Sequence, residues 1–384
     1  MPPVDIASAR ASAAEESIDL PLFDVSVESP ELGKKLVKAA AEWGFLWIVA
    51  SPPPDNKNNE SYDFDEETVD RVFSVSREFF LDAAMEEKEP CRIKHNRGWV
   101  DMHVENLDPS QHKRGDFKQA FNLAEPLDGG HGDWVQPMPA TFQRHDARLR
   151  DFHARCRRLS TRILRLLALG LEIEDPDWIA RTHEQAPNTA RFLFYPQLPP
   201  GTDYSQESDI RAGAHSDYGS ITLLFQRPSQ PGLELLTPDG TWASVPIFPP
   251  GYHSTALPPI VVNIGDLLSY WTNGFLKSTI HRVILTEPGD TEGAAQSGDV
   301  MKSGLGENRF SIAIFIQPSR ATEIVPMPSP LVASRAAEFA RETVGHGGGI
   351  QTETGKGSIT AGDYLDGRLM ATYGSVYQPV KASS

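Results

Sequence analysis

Cysteine is nearly absent from this chain: Cys91 and Cys156 are the only two among 384 residues. Two thiols in so long a chain make no disulfide framework. The simple expectation is a reduced, cytoplasmic protein with structural thiols. Long apolar runs are missing as well. No eighteen consecutive apolar residues occur, which argues against a membrane-spanning helix. The opening stretch, MPPVDIASARASAAEESIDL, has no apolar centre of a secretory signal, and its Ala, Ser and Glu content suggests a disordered lead over residues 1–17. Basic charge is the third shortage. With 36 Lys and Arg against 52 Asp and Glu, the formal charge is −16, so nucleic acid is an unfavourable partner.

What is present reads as an ordinary globular protein, 39% hydrophobic and 23% charged. Residues 18–50 read as strand, helix, strand, with Leu32, Leu36, Ala39, Ala40 and Trp43 repeating at three and four and Gly44 ending the helix. The proline-rich stretch at 51–63 is a polar loop. A second helix is expected over 65–81, then mostly irregular chain over 82–134 with one strand at 117–123. A long amphipathic helix follows over 141–171, its arginines forming a solvated face plus a few ion pairs. From Thr189 onward the pattern changes to short strands between Gly and Pro turns: 190–195, 221–226, 233–236, 241–245, 260–264, 280–285 and 310–317. Closely spaced strands of this kind suggest a jelly roll or related barrel.

One segment of that region carries chemistry. In RAGAHSDYGSITLLFQ, His215 and Asp217 are two apart, and on an extended strand such residues project from one face. His281 follows at the start of a later apolar segment. Two neutral imidazoles and a carboxylate with open sites beside them form the facial triad of non-haem Fe(II) oxygenases. His-x-Asp alone is a common accident of sequence. Its weight comes from Arg309-Phe310-Ser311, which opens a strand on which Arg309, Ser311, Ala313 and Phe315 share a face. A guanidinium beside a hydroxyl is a good receptor for a carboxylate.

The order His215-x-Asp217, Asn263-Ile264-Gly265-Asp266, His281-Arg282-Val283, Arg309-x-Ser311 resembles the Fe(II)/2-oxoglutarate dioxygenases of the isopenicillin N synthase-like family. Further matches run from Ile18-Asp19-Leu20-Pro21 through Glu42-Trp43-Gly44-Phe45, Phe79-Phe80, Arg97-Gly98-Trp99 and 116–121, with a weaker one at 364–373. The resemblance implies an α+β fold with a double-stranded β-helix (jelly-roll) core and helices of the N-terminal half packed around it. The expected division is 18–180 for the helical and strand region, 181–320 for the core and 321–384 for a C-terminal helical segment and tail. Two stretches are longer than the family's usual connections, at 245–260 and at 289–307; the second is expected to be a surface excursion.

The resemblance also implies roles. His215, Asp217 and His281 would bind Fe(II), and Arg309 and Ser311, helped by Tyr195, would hold the distal carboxylate of 2-oxoglutarate, with O2 as the third reactant and ascorbate as a stimulant. Trp99, Phe121, Phe192 and Phe315 are candidate walls of the substrate pocket, together with the segment 364–369. Asn263 to Asp266 reads as a structural turn, and the remaining histidines read as surface or core residues. These aromatic, weakly charged wall candidates suggest oxidation of a small, largely apolar metabolite, by hydroxylation, desaturation or ring formation, in secondary metabolism. The expected assembly is a monomer or weak homodimer. Four alternatives stay open: an oxidase of the isopenicillin N synthase type that uses no 2-oxoglutarate, a nucleobase hydroxylase, a zinc hydrolase on the same three residues, and a binder without activity.

Overall fold

The computed structural model describes residues 18–52, 61–108, 114–126, 130–186, 188–199, 201–202, 210–252, 257–286, 306–335 and 359–373. The expected lead at 1–17, most of the loop at 51–63 and nearly all of the stretch at 289–307 lie outside those residues.

The N-terminal half supplies helices. In α1 (Pro30–Glu42) the Ser29 hydroxyl caps the helix by accepting from the Leu32 N–H at 3.1 Å, and Pro30 sits where no N–H is needed. Gly44 ends it at φ +68°, the left-handed turn that glycine adopts without strain. Next comes α2 (Glu66–Arg77), capped by Asp65. It is shorter than expected because the chain widens into a π turn over Glu78–Asp82. That turn lets two successive aromatics bury, Phe79 against Phe121 and Phe142 and Phe80 against Phe194. After the short α3 (Met85–Lys88), the expected single long helix is two, α4 (Ala140–Arg144) and α5 (Asp146–Gly170), parted at His145. The α5 arginines are more fully paired than expected: Arg157 with buried Glu125, Arg158 and Arg162 with Asp63, and Arg165 with Glu28 and Asp177. The short α6 (Trp178–Arg181) leads into the barrel, and α7 (Asp266–Trp271), α8 (Pro330–Ser334) and α9 (Ala361–Tyr373) follow within and after it.

The strands are β1 (Leu22–Phe23), β2 (Phe45–Ile48), β3 (Gly98–Val100), β4 (Gln119–Ala124), β5 (Thr189–Tyr195), β6 (Ala212–His215), β7 (Ile221–Gln226), β8 (Leu233–Leu236), β9 (Trp242–Ser244), β10 (Ile260–Ile264), β11 (His281–Val283) and β12 (Arg309–Ile316). They form an eight-stranded sheet in the order β1-β2-β10-β7-β12-β5-β4-β3 and a four-stranded sheet in the order β6-β11-β8-β9. The result is the expected α+β jelly roll. The non-consecutive neighbours mean that the site is assembled from segments far apart in sequence.

The larger sheet is covered on both faces, and β12 at its middle shows how the alternation divides them. Phe310, Ile312, Ile314 and Ile316 face the helices in the main core, with Phe192, Phe121, Phe142 and Phe152. Arg309, Ser311, Ala313 and Phe315 face the opposite way and line the cavity between the sheets. A slip of one residue would bury Arg309 among phenylalanines, so the register is strongly fixed.

Candidate metal centre and its cavity

The smaller sheet brings two histidines side by side. His281 on β11 is paired in register with His215 at the end of β6, and their ring centroids lie 4.3 Å apart. The strand stops at His215, so Asp217 is presented by the turn that follows and not by an extended segment, as the spacing alone suggested. Gly265 allows that turn to lie close, since a Cβ there would meet the Gly219 carbonyl at 2.3 Å. The Nε2 atoms of His215 and His281 stand 4.0 and 3.9 Å from Oδ1 of Asp217. One donor atom from each residue falls within 4.8 Å of the others.

Each donor is held from behind. His215 Nδ1–H donates to the Gly213 carbonyl at 2.7 Å and His281 Nδ1–H to that of Thr279 at 3.1 Å, which turns both Nε2 lone pairs toward Asp217. The Phe45 ring packs edge-on against His281 at 5.3 Å. Thr222 Oγ1 and Asn263 Nδ2 both donate to Asp217 Oδ2, at 2.6 and 2.7 Å, and so leave Oδ1 for the histidine side. Burial, then the neighbouring His281, holds the His215 pKa down to about 3, so the ring is neutral and its lone pair available. Burial alone would raise the Asp217 pKa, but the two imidazoles and the bonds from Thr222 and Asn263 outweigh it and hold the group below the usual carboxylate range. Two imidazole nitrogens and a charged carboxylate, converging and preset in orientation, fit a divalent iron.

Arg309 lies at the far end of the same wall, 2% exposed. Its Nε donates to the carbonyls of Gln230 and Pro231, its remaining edge reaches Ser311 Oγ at 3.3 Å and Gln226 Oε1 at 3.5 Å, and a side-chain hydrogen bond joins it to Tyr195. The Tyr195 ring lies 5.0 Å beneath it. No carboxylate of the described residues pairs with this buried guanidinium. Such a group is costly to desolvate unless an anion completes it, and a small dicarboxylate reaching from the three donors would do so.

The cavity between these ends measures about 1150 Å³ with its open mouth. Much of its wall is apolar, including Leu193, Leu224, Val283 and Phe315, with Leu365 and Leu369 of α9 across it. Of the four expected wall aromatics only Phe315 is there. Trp99, Phe121 and Phe192 are paired across β3, β4 and β5 on the other face, where they pack under the helices. In their place stand two cations. Lys118 and Arg191 line the wall, held by Glu105 and Asp116: Lys118 pairs with both carboxylates and Arg191 with Glu105 at 2.5 Å. Burial opposes the charge on Lys118, but Asp116 and Glu105 outweigh it and raise its pKa. The wall is therefore more charged than the sequence suggested.

Thr222, Lys118 and Arg191 went unassigned in the sequence and Asn263 was read only as part of a structural turn, although two of the four had a signal. Asn263 and Arg191 interrupt the otherwise buried strands Ile260–Ile264 and Thr189–Tyr195, and a polar residue inside such a strand needs a partner. Among the other histidines, His153 and His183 are core residues whose burial holds their pKa down to about 4. His95, His103, His131 and His145 stand outside the donor set, and His112, His253 and His346 lie outside the described residues. Cys91 and Cys156 are free, buried and away from the cavity. No helix among the described residues is long and apolar enough to cross a membrane.

Comparison with known proteins gives the same picture. Residues 187–318 match the profile of the 2OG-Fe(II) oxygenase superfamily, and residues 16–141 that of the N-terminal region of non-haem dioxygenases, described from morphine synthesis. A UPF0676 protein of Schizosaccharomyces pombe is 31% identical over 366 residues, 93% of this chain and 94% of the relative. The 2-oxoglutarate-dependent dioxygenase htyE of Aspergillus rugulosus is 29% identical over 291 residues, 71% of this chain and 80% of its own. Among solved structures, a Neurospora crassa protein in complex with alpha-KG (2-oxoglutarate) and thymine superposes with a TM-score of 0.68 at 25% identity, covering 95% of this chain and all of the other.

Proposed function

This chain belongs to the 2OG-Fe(II) oxygenase superfamily, and we propose that His215, Asp217 and His281 are its iron ligands, that Arg309 and Ser311 beside Tyr195 hold the distal carboxylate of 2-oxoglutarate, and that the substrate lies between Phe315 and the Lys118–Arg191 wall. The protein is an enzyme that oxidises a small metabolite with Fe(II) and 2-oxoglutarate. The observation that carries the assignment of residues is one cavity with three converging donors at one end and, at the other, a buried guanidinium that no carboxylate of the described residues pairs with.

Bound Fe(II) would activate O2, the oxidant, whose four electrons would come from 2-oxoglutarate, leaving as succinate and carbon dioxide, and from a C–H bond of the metabolite. The chain contributes position and dryness. The two Nδ1–H bonds fix both imidazoles in the binding tautomer, and Thr222 with Asn263 keeps one Asp217 oxygen turned inward. Arg309, tethered through Nε, presents its other edge as a fork for a carboxylate. Leu193, Leu224 and Val283 exclude water around the reacting centre. Lys118 and Arg191 give the substrate side hydrogen-bond donors, so the metabolite has an apolar body with acceptor groups on one edge, and is less apolar than the aromatic composition suggested.

A nucleobase is the second reading of the substrate. It is favoured by the thymine held in the Neurospora crassa structure and by the Asn96 amide, the Arg191 guanidinium and the Tyr218 and Phe315 rings that line this cavity, which suit a flat heterocycle with an amide edge. An oxidase of the isopenicillin N synthase type would instead place the substrate's own carboxylate at Arg309. The proposal extends to a cytoplasmic monomer or weak homodimer with no nucleic-acid partner and stimulation by ascorbate; the free thiols and the −16 charge support the location and the lack of nucleic acid.

The deciding experiment measures succinate formed from 2-oxoglutarate with Fe(II) under air. It is run alone, with pooled nucleobases, and with pooled aromatic and terpenoid metabolites, using His215→Ala as the blank. Stimulation by one pool supports the cosubstrate and chooses the substrate class. Succinate at the blank level in every pool, with product formed from substrate and O2 alone, favours the oxidase.

A further inference from the structure

One carboxylate ties the metal corner to the C-terminal helix. Asp266 opens α7 and is fully buried. Its N–H donates to the Asp217 carbonyl at 2.7 Å, and the next N–H, of Leu267, donates to that of Gly219 at 3.1 Å, so the start of α7 holds the Asp217 turn by its backbone. The side chain reaches further. Oδ2 accepts from the hydroxyl of Ser216, the residue between His215 and Asp217, at 3.0 Å, and Oδ1 accepts from that of Ser278, just ahead of His281, at 2.6 Å. The partner that balances its charge is Arg368 of α9, whose guanidinium meets Oδ2 at 2.8 Å and lies 4.9 Å above the Tyr218 ring.

The helix that brings Arg368 also covers the cavity. Leu365 and Leu369, on either side of it in sequence, line the pocket, while Tyr364 is buried with Leu267 and Ala361 and fixes the helix against α7. Serine hydroxyls can bond a buried carboxylate but cannot neutralise it. Without Arg368, Asp266 would draw water in between Ser216 and Ser278, beneath both approaches to the donor set.

We propose that Arg368 latches α9 over the cavity and that its pairing with Asp266 sets the turn carrying Asp217, so that closing the cavity and aligning the metal donors are one coupled event. Arg368 is a positioning residue: it acts on the donors through Asp266. The proposal rests on reading His215, Asp217 and His281 as the metal set. Its test is therefore made first on the metal-free protein.

Hydrogen exchange is followed by mass spectrometry in the wild type, Arg368→Gln, Arg368→Lys and Ser216→Ala, without metal. In Arg368→Gln, peptides spanning 361–370 and 214–222 both exchange about tenfold faster, and Arg368→Lys recovers most of the protection. Ser216→Ala, a small change that leaves Arg368 in place, probes the coupling from the other side. Reciprocity requires it to loosen 361–370 as well. Fe(II) titration then gives about tenfold weaker binding in Arg368→Gln, restored by lysine. Loosening of 361–370 with the 214–222 turn and Fe(II) affinity unchanged would make α9 a passive cover and overturn the coupling; unchanged exchange at both overturns the latch. A wild type that fails to bind Fe(II) refutes the metal reading and leaves the exchange result standing.

Discussion

The two sides of the cavity handle buried charge in opposite ways. On the β4 and β5 wall, Lys118 and Arg191 meet Glu105 and Asp116 from the protein itself, and the group is closed. At the metal corner and along β12, Asp217 faces two imidazoles and Arg309 has no carboxylate partner among the described residues, so both await something the chain does not supply. Closed charge fixes a wall. Open charge marks where ligands of opposite sign belong, because the chain otherwise bears the desolvation of those groups without return.

Substitutions at the open end should therefore remove function and spare the fold, and those at the closed end should act first on stability. The largest effect on function is expected from Asp217→Ala. Fe(II) binding and substrate-stimulated succinate formation fall to background, while the melting temperature changes less than in any variant of the ionic wall. A large drop in melting temperature with retained Fe(II) binding would reverse the assignment. Lys118→Met is next. It leaves Glu105 and Asp116 buried without their shared cation, which costs about 3–5 kcal/mol, read as a fall in the denaturant midpoint without metal.

Arg309→Met sharpens the same contrast. Removing charge-assisted bonds costs about 1.5–3 kcal/mol, so the KM for 2-oxoglutarate rises roughly 10–100-fold; Arg309→Lys recovers only part, since an ammonium cannot replace a fork. An unchanged KM for 2-oxoglutarate with a raised KM for the metabolite would instead favour the oxidase reading. Smaller again is Asn263→Ala, which frees Asp217 Oδ2 on one side and lowers Fe(II) affinity by about tenfold. Titration of both proteins in parallel checks it.

The same division explains what could be read from the sequence. The convergence of His215, Asp217 and His281 was legible because they are a local motif and a strand-start histidine, and the shared face of Arg309 and Ser311 because alternation along one strand puts both there. Short strands between turns likewise announced the jelly roll. The ionic wall was not legible: its four charges come from a loop, the approach to β4 and the interior of β5, and only the sheet order β5-β4 brings them together. Asp266 was read as part of a turn because its partners, Ser216, Ser278 and Arg368, are scattered along the chain.

The aromatic residues failed for a further reason, and it yields the finest test. Phe192 and Phe315 both lie on strands of the larger sheet, and both faces of that sheet are covered, so apolar composition cannot say which face looks into the cavity. Pairing decides it. Phe192 is opposite Phe121 and Ile312 and belongs to the core beneath the helices, whereas Phe315 is opposite Thr189 and Thr222 and belongs to the cavity. Phe192→Leu should lower stability by about 1 kcal/mol and leave the substrate KM unchanged. Phe315→Leu should leave the denaturant midpoint within about 0.5 kcal/mol of wild type and raise the substrate KM several-fold, most for a flat substrate that stacks on the ring. If the two variants exchange these signatures, the substrate lies on the helix side of the sheet and the cavity assignment is wrong.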